Sequence, residues 1–451
     1  MAMSVCWLAR GAERSPCAAS DERTCGGIQN PLEALQILAQ AASNENCPRG
    51  HTAISQIEPA RSESTSAIPT NGDDQAGLES YGPVADGILD PRLLDHLLQD
   101  YAERYHPFMP IVPDHILLAT SVHKTAVEEP FLLTAVLTIS TKDRQDLEDL
   151  HRGIWSHMQG LILSVVLGTS GTRHVETVEG LLLLAEWVPH INTHLSSKTQ
   201  SSDDNEDTAA WTLVGLAVRQ GYLLHLDNYS FRKEAKGDIK AVSDRKRLAW
   251  TFTYLSDRQI SIRMGQAFWC RGPGLSTRFT ADDYPTLQPK HAYEDDYAAI
   301  LQAQVELTTL FGNVHDILYA SKSRTVQLML MGDYTKYLDD SAKALTAWED
   351  IWSSLNVAAY LKCLLSLQYE YLRLYVNAFA FQAVICRATD RPSNPHPSPT
   401  KTPYFPNGVM ASADGRHIYL AIDAASNLLK IINERMDPVR HLRYLPVRFY
   451  L

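Results

Sequence analysis

The stretch DRKRLAWTFTYLSDRQISIRM, residues 244–264, decides the fold class. Leu248, Phe252 and Leu255 recur four and three residues apart, and Ile262 follows two turns later. That spacing puts all four on one face of an α-helix, not on alternating faces of a strand. Ser243 stands where an N-cap hydroxyl would satisfy the first amides, with Asp244 in the first turn. Asp257 and Ser261 lie one turn apart and are placed to hydrogen-bond, and Arg258 falls under the ring of Tyr254. The segment reads as a structural helix at the centre of a bundle. Arg245, Lys246 and Arg247 set cations against the positive end of the helix dipole, so a carboxylate or another anion is expected beside them.

The same periodicity extends in both directions. Asp90-Pro91 opens a helix with Leu93, Leu94, Leu97, Leu98, Tyr101 and Tyr105 three and four apart, which must stop near His106, before Pro107. Pro107, Pro110 and Pro113 predict an extended left-handed connector, and the apolar pairs Phe108-Met109 and Ile111-Val112 predict that it packs on the core. Helices are expected over 129–141, over 147–167 with Gly168 as a left-handed cap, over 174–188 up to Pro189, and over 208–226. Downstream they are expected over 243–264, 293–322, 333–355, 357–387 and 414–436. There is no sustained strand-type alternation and no fixed repeat period. The class is all-α, a large multi-helix bundle.

Two stretches interrupt it. Residues 196–207 are polar and unpatterned, and residues 391–408 hold six prolines, which predicts an exposed loop. Ser398-Pro399 and Thr402-Pro403 fit proline-directed kinases, although such pairs are common in loops of this kind. Residues 1–85 are poor in apolar side chains and are expected to form a mostly disordered arm, with one short helix over 31–40. The helical domain is expected over 86–451.

Formal net charge is −11, from 41 Lys plus Arg against 52 Asp plus Glu, which argues against a chain-wide nucleic-acid footprint. The most apolar stretch, 357–388, is broken by Lys362, Glu370, Arg373 and Arg387, so no membrane span is expected. No secretory leader is evident at the N-terminus, and seven cysteines suit reduced intracellular thiols better than a disulfide framework. Cys6, Cys17, Cys25 and Cys47 form no CxxC pair. Cys47 and His51 have only the spacing of half a zinc site, so no metal is expected. Cys270, Cys363 and Cys386 read as small buried apolar residues.

The strongest catalytic motif is Asp203-Asp204-Asn205-Glu206-Asp207, whose spacing is that of the magnesium-diphosphate motif of helical terpene synthases. It directly precedes Thr208-Ala209-Ala210-Trp211, where acids are better explained as caps and first-turn charges. Asp282-Asp283 and Asp295-Asp296 are read in the same way. His151 and His157, six apart, face different sides of their helix. No phosphate loop, dinucleotide fingerprint or nucleophile elbow occurs. No catalytic, cofactor or metal residue is therefore nominated. Residues 231–248 carry seven Lys or Arg and three acids, and their Arg245-Lys246-Arg247 fits either a nuclear-localisation or phosphate patch or a solvated helix start.

Four segments carry a family resemblance: LLDHLLQDYAERYHPFMPIVP (93–113), VETVEGLLLLAEWVP (175–189), WTLVGLAVRQGYLLHLD (211–227) and DRKRLAWTFTYLSDRQISIRMGQ (244–266). In this order they resemble the regulatory, or middle homology, domain of fungal zinc binuclear cluster transcription factors, across about residues 88–450. Gln266-Ala267 departs from the Arg-Pro that members often show there. The six-cysteine cluster that precedes this domain in the family is missing from the chain. The resemblance implies a nuclear regulator of RNA polymerase II transcription that works through contacts with other transcription proteins or a second copy of itself. DNA and zinc binding would belong to the cysteine module of complete members. LRYLPVRFYL resembles a point where members run into another apolar helix, so truncation is expected there, with Leu445, Val447, Phe449 and Leu451 short of packing partners. The alternatives are a magnesium-dependent enzyme using Asp203, Asp204 and Asp207, and a helical adaptor whose proline-rich loop binds a partner.

Overall fold

The computed structural model describes residues 78–118, 121–189, 202–230, 240–271, 279–389 and 412–449. The chain divides into two units, Met1–Ile68 and Pro69–Leu451, and every described residue lies in the second. The expected arm helix, the four N-terminal cysteines and the loop 391–408 lie outside the described residues.

Among the described residues the secondary structure is helical, with no strand. Apart from the single turns Gly82–Ala85 and Asp114–Leu117, the helices are α1 (Pro91–Arg104), α2 (Val122–Glu128), α3 (Pro130–Lys142), α4 (Glu148–Val166), α5 (Val175–Glu186) and α6 (Ser202–Leu223). They continue as α7 (Lys240–Met264), α8 (Tyr297–Leu318), α9 (Lys322–Met331), α10 (Thr335–Trp352), α11 (Ala359–Thr389) and α12 (Gly415–Lys430), with a π turn over Ile431–Arg435. Local chemistry explains several of the ends. Asp90 accepts from the Arg92 amide at 2.9 Å ahead of Pro91. Gly168 and Gly332 take φ of 70° and 79° just beyond α4 and α9, a conformation that disfavours any residue with a Cβ.

Several expectations need correction. α7 starts at Lys240, so Ser243 and Asp244 sit inside the helix, both buried, and neither is its cap. α6 starts at Ser202, so the second half of the polar stretch 196–207 is helix. α9 was not foreseen; the Ser321 hydroxyl accepts from the Arg324 amide at 3.4 Å to start it. His106–Phe108 is a 3-10 turn and not an extended path, yet Phe108, Met109, Ile111 and Val112 are all buried as expected of a packed connector. Asp257 does not bond Ser261. It accepts from the amides of Trp269 at 3.0 Å and Cys270 at 2.8 Å and so closes the turn after α7. Arg258 does lie under Tyr254, 5.3 Å from its centroid, and is closer still to Phe268, at 3.8 Å.

α3 and α5 form the heart of the bundle. Phe131 to Thr141 and Glu176 to Glu186 are buried at every position, as expected of helices surrounded on all sides. α5 packs on α3, α6 and α7; α7 also packs on α6 and α8; α8 meets α10 and α11; α11 carries α9 and α12. Leu248, Phe252, Leu255 and Ile262 are all buried, as their stripe predicts. Contrary to expectation Leu445 and Phe449 are buried and Val447 is half-buried, while Leu451 lies outside the described residues; Trp187 Nε1 donates to the Tyr444 carbonyl at 2.9 Å. No helix among the described residues is long and apolar enough to cross a membrane.

Candidate functional site

The basic trio, in the second turn of α7, is turned into the protein. Arg245 donates from Nε to Glu179 at 2.9 Å and from Nη1 to Glu129 at 3.0 Å, and its Nη2 bridges both carboxylates. Lys246 bonds the Tyr229 hydroxyl at 2.9 Å, and Arg247 reaches Asp244 at 3.0 Å and the Asp283 carbonyl at 3.2 Å. The carboxylate expected beside these cations is thus Glu129 together with Glu179. Burial pushes the Glu129 carboxyl up, but Arg245 and His115 outweigh it and leave it below its ordinary value. Glu179 stays raised because its burial exceeds the pull of Arg245. Glu176, also buried in α5, is pushed up to about 8, although the Leu132 amide donates to it at 3.3 Å.

The acidic motifs are structural where they are described. Asp203 and Asp204 open α6, and Asp207 accepts from Arg263 Nε at 2.9 Å. Asp283 forms a capping box with Thr280, Asp296 accepts from the Ala299 amide at 2.9 Å, and Asp295 accepts from the Ala358 amide at 2.6 Å. His151 bonds Thr141 at 3.0 Å, while His157 lies edge-on to Tyr81. Among the described residues no group of three or more His, Cys, Asp or Glu is arranged to hold a metal ion. Cys270 and Cys363 are buried free thiols, and burial raises both above the ordinary thiol value, which disfavours the nucleophilic thiolate.

One site escaped the sequence reading. α5, α6, α7, α8, α11 and the turn at Val447-Arg448 line a partly open cavity of about 110 Å³. Ala210, Val214, Ile260, Leu307, Phe311 and Tyr371 give it an apolar wall. Glu186, Ser256, Gln259, Arg263, Gln368 and Arg448 supply polar groups. Ser256 donates to Glu186 at 3.0 Å, and Arg448 Nη1 lies 2.8 Å from the same carboxylate, in a pair whose side chains are only 6% and 5% exposed. The amide oxygens of Gln259 and Gln368 are buried without a hydrogen-bond partner, as are Arg448 Nε and Nη1, the latter close to Glu186 as an ion pair but not in hydrogen-bond geometry. A wider cleft of about 1130 Å³ opens beside Arg245, bounded by Pro110, His115, Glu176, Lys290 and Tyr293. Neither was legible locally, because each is built from elements distant in sequence.

Among the described residues, fold and site define a helical body with inward-facing ion pairs and a partly open amphipathic cavity. No known family model matches the chain, and no solved structure matches it. The chain is 22% identical over 360 residues to a protein named "Transcription factor hmgR" from Aspergillus fumigatus. That match takes in 67% of this chain and 45% of the relative, so the chain spans less than half of the relative's length. The likeness is to a protein named as a transcription factor.

Proposed function

We propose that this chain is the helical regulatory body of a fungal zinc-cluster type transcription regulator. It acts in the nucleus on RNA polymerase II genes through contacts with other transcription proteins or a second copy of itself. DNA and zinc would be bound by the cysteine-cluster module of the complete family pattern. The observation that carries this reading is the match to a named transcription factor over 67% of the chain. The chemistry agrees: Arg245, Lys246 and Arg247 are occupied by internal partners, which suits a protein-contact role better than phosphate binding. Asp207 is held by Arg263, which speaks against a magnesium-diphosphate enzyme. The test is to tether the chain to an unrelated DNA-binding module in a fungal host carrying the matching reporter. Reporter output should rise or fall relative to the module alone, and an unchanged output would sink the proposal. Asn at Asp203, Asp204 and Asp207 should leave that output nearly unchanged.

A further inference from the structure

We propose that the cavity between α5, α6, α7, α8 and α11 binds a small uncharged molecule with a compact apolar body and one hydroxyl or primary amide. Size sets the first limit. A 150 Å³ engineered apolar cavity accepts benzene, so about 110 Å³, here partly open to solvent, suits a body of about four to six non-hydrogen atoms. Polarity sets the second. An apolar wall that includes Val214, Ile260, Leu307 and Phe311 faces a polar set in which the amide oxygens of Gln259 and Gln368 lack donors and Arg448 Nε lacks an acceptor. Buried polar atoms of this kind are normally satisfied, and a hydroxyl or amide both donates and accepts. Charge sets the third. Arg448 is balanced by Glu186 and Arg263 by Asp207, so a bound carboxylate or ammonium would find no unpaired countercharge. The bland alternative is a hydrated cavity holding about three or four waters.

The site also lies where binding would be felt widely. Its walls come from five helices and from the C-terminal turn that Arg448 and Arg263 tie down through the Phe108 and Val447 carbonyls, at 2.9 and 2.7 Å. A molecule bound only to this folded arrangement stabilises it by mass action. The inference concerns binding alone and does not require the transcriptional reading.

The test uses the full chain and four matched probes: isobutyramide and isobutanol, which are neutral, and isobutyrate and isobutylamine, which are charged. Saturation-transfer NMR with thermal unfolding should show saturable binding of the neutral pair, about tenfold or more tighter than the ions. Val214→Phe, which fills the cavity, should abolish binding of all four. Gln259→Leu with Gln368→Leu should weaken binding of isobutyramide and isobutanol alike, and far-UV circular dichroism should show each variant helical. Gln259→Leu alone, expected to weaken isobutyramide binding, serves if the double variant does not fold. Equal binding of ions and neutrals, unchanged binding in Val214→Phe, or no saturable binding of either neutral probe overturns the proposal. A silent reporter with binding intact would count only against the transcriptional role.

Discussion

Arg245 and Glu176 show how much of this interior depends on single ionisable groups. Arg245 holds Glu129 and the almost fully buried Glu179 together, and removing it leaves two carboxylates without their cation. Arg245→Ala should cost about 3–5 kcal/mol, read as a lower urea midpoint, because an unpaired buried charge is far more costly than an absent pair. Glu176 works in the opposite direction. Its folded carboxyl is pushed up to about 8 from an ordinary 4.5, mainly by burial, so the native state keeps a proton that the unfolded chain has released. Unfolding free energy therefore falls as pH rises from about 4.5 to about 8, since the native state binds more protons throughout that window. Glu176→Gln holds the group neutral and should flatten this decline, giving a variant relatively more stable than the parent at pH 8. A steeper decline in the variant would contradict this assignment.

Helix α6 carries the clearest test at the scale of an element. Gly215 lies under the ring of Trp269, where a Cβ would collide with the indole, and at Gly221 a Cβ would come within 2.8 Å of Trp250. Helix propensity alone favours Ala over Gly, yet Gly215→Ala should destabilise by about 1–3 kcal/mol through overpacking. Gly160, exposed within α4 and with nothing within 4 Å of its would-be Cβ, should show the propensity gain of about 0.5–1 kcal/mol on substitution by Ala. Opposite signs in denaturant titrations of the two variants would confirm both. The same local physics explains what the sequence revealed. The stripe from Leu248 to Ile262, the Asp90-Pro91 start and the Gly168 stop are each written within a few residues, so they were readable. α9 was missed because Met329 is its only buried residue, which leaves almost no stripe. Asp257 misled because its partners, the Trp269 and Cys270 amides, lie beyond the helix end. The cavity was unreadable in principle, since Glu186, Gln259, Gln368 and Arg448 meet only after the bundle closes.

At the scale of the whole molecule, the C-terminal segment ties distant parts of the chain together. Trp187 donates to the Tyr444 carbonyl, Arg443 to the Asp143 carbonyl, Arg448 to the Phe108 carbonyl, and Arg263 to the Val447 carbonyl. These bonds link α5, α7, the α1–α2 connector and the end of α3 to one short stretch, so the bundle should unfold as one body. The Glu186–Arg448 pair is the place to measure that coupling, because both side chains are nearly buried. Glu186→Gln or Arg448→Met alone should each cost about 3–5 kcal/mol by leaving the partner charge unmatched. The double variant removes both charges at once and should cost clearly less than the two losses added. A double-mutant cycle in guanidinium reads the difference directly. A coupling of more than about 1 kcal/mol would show that the C-terminal turn and α5 behave as a single unit. Simple additivity would mean that the turn rests on the bundle without being part of its cooperative core.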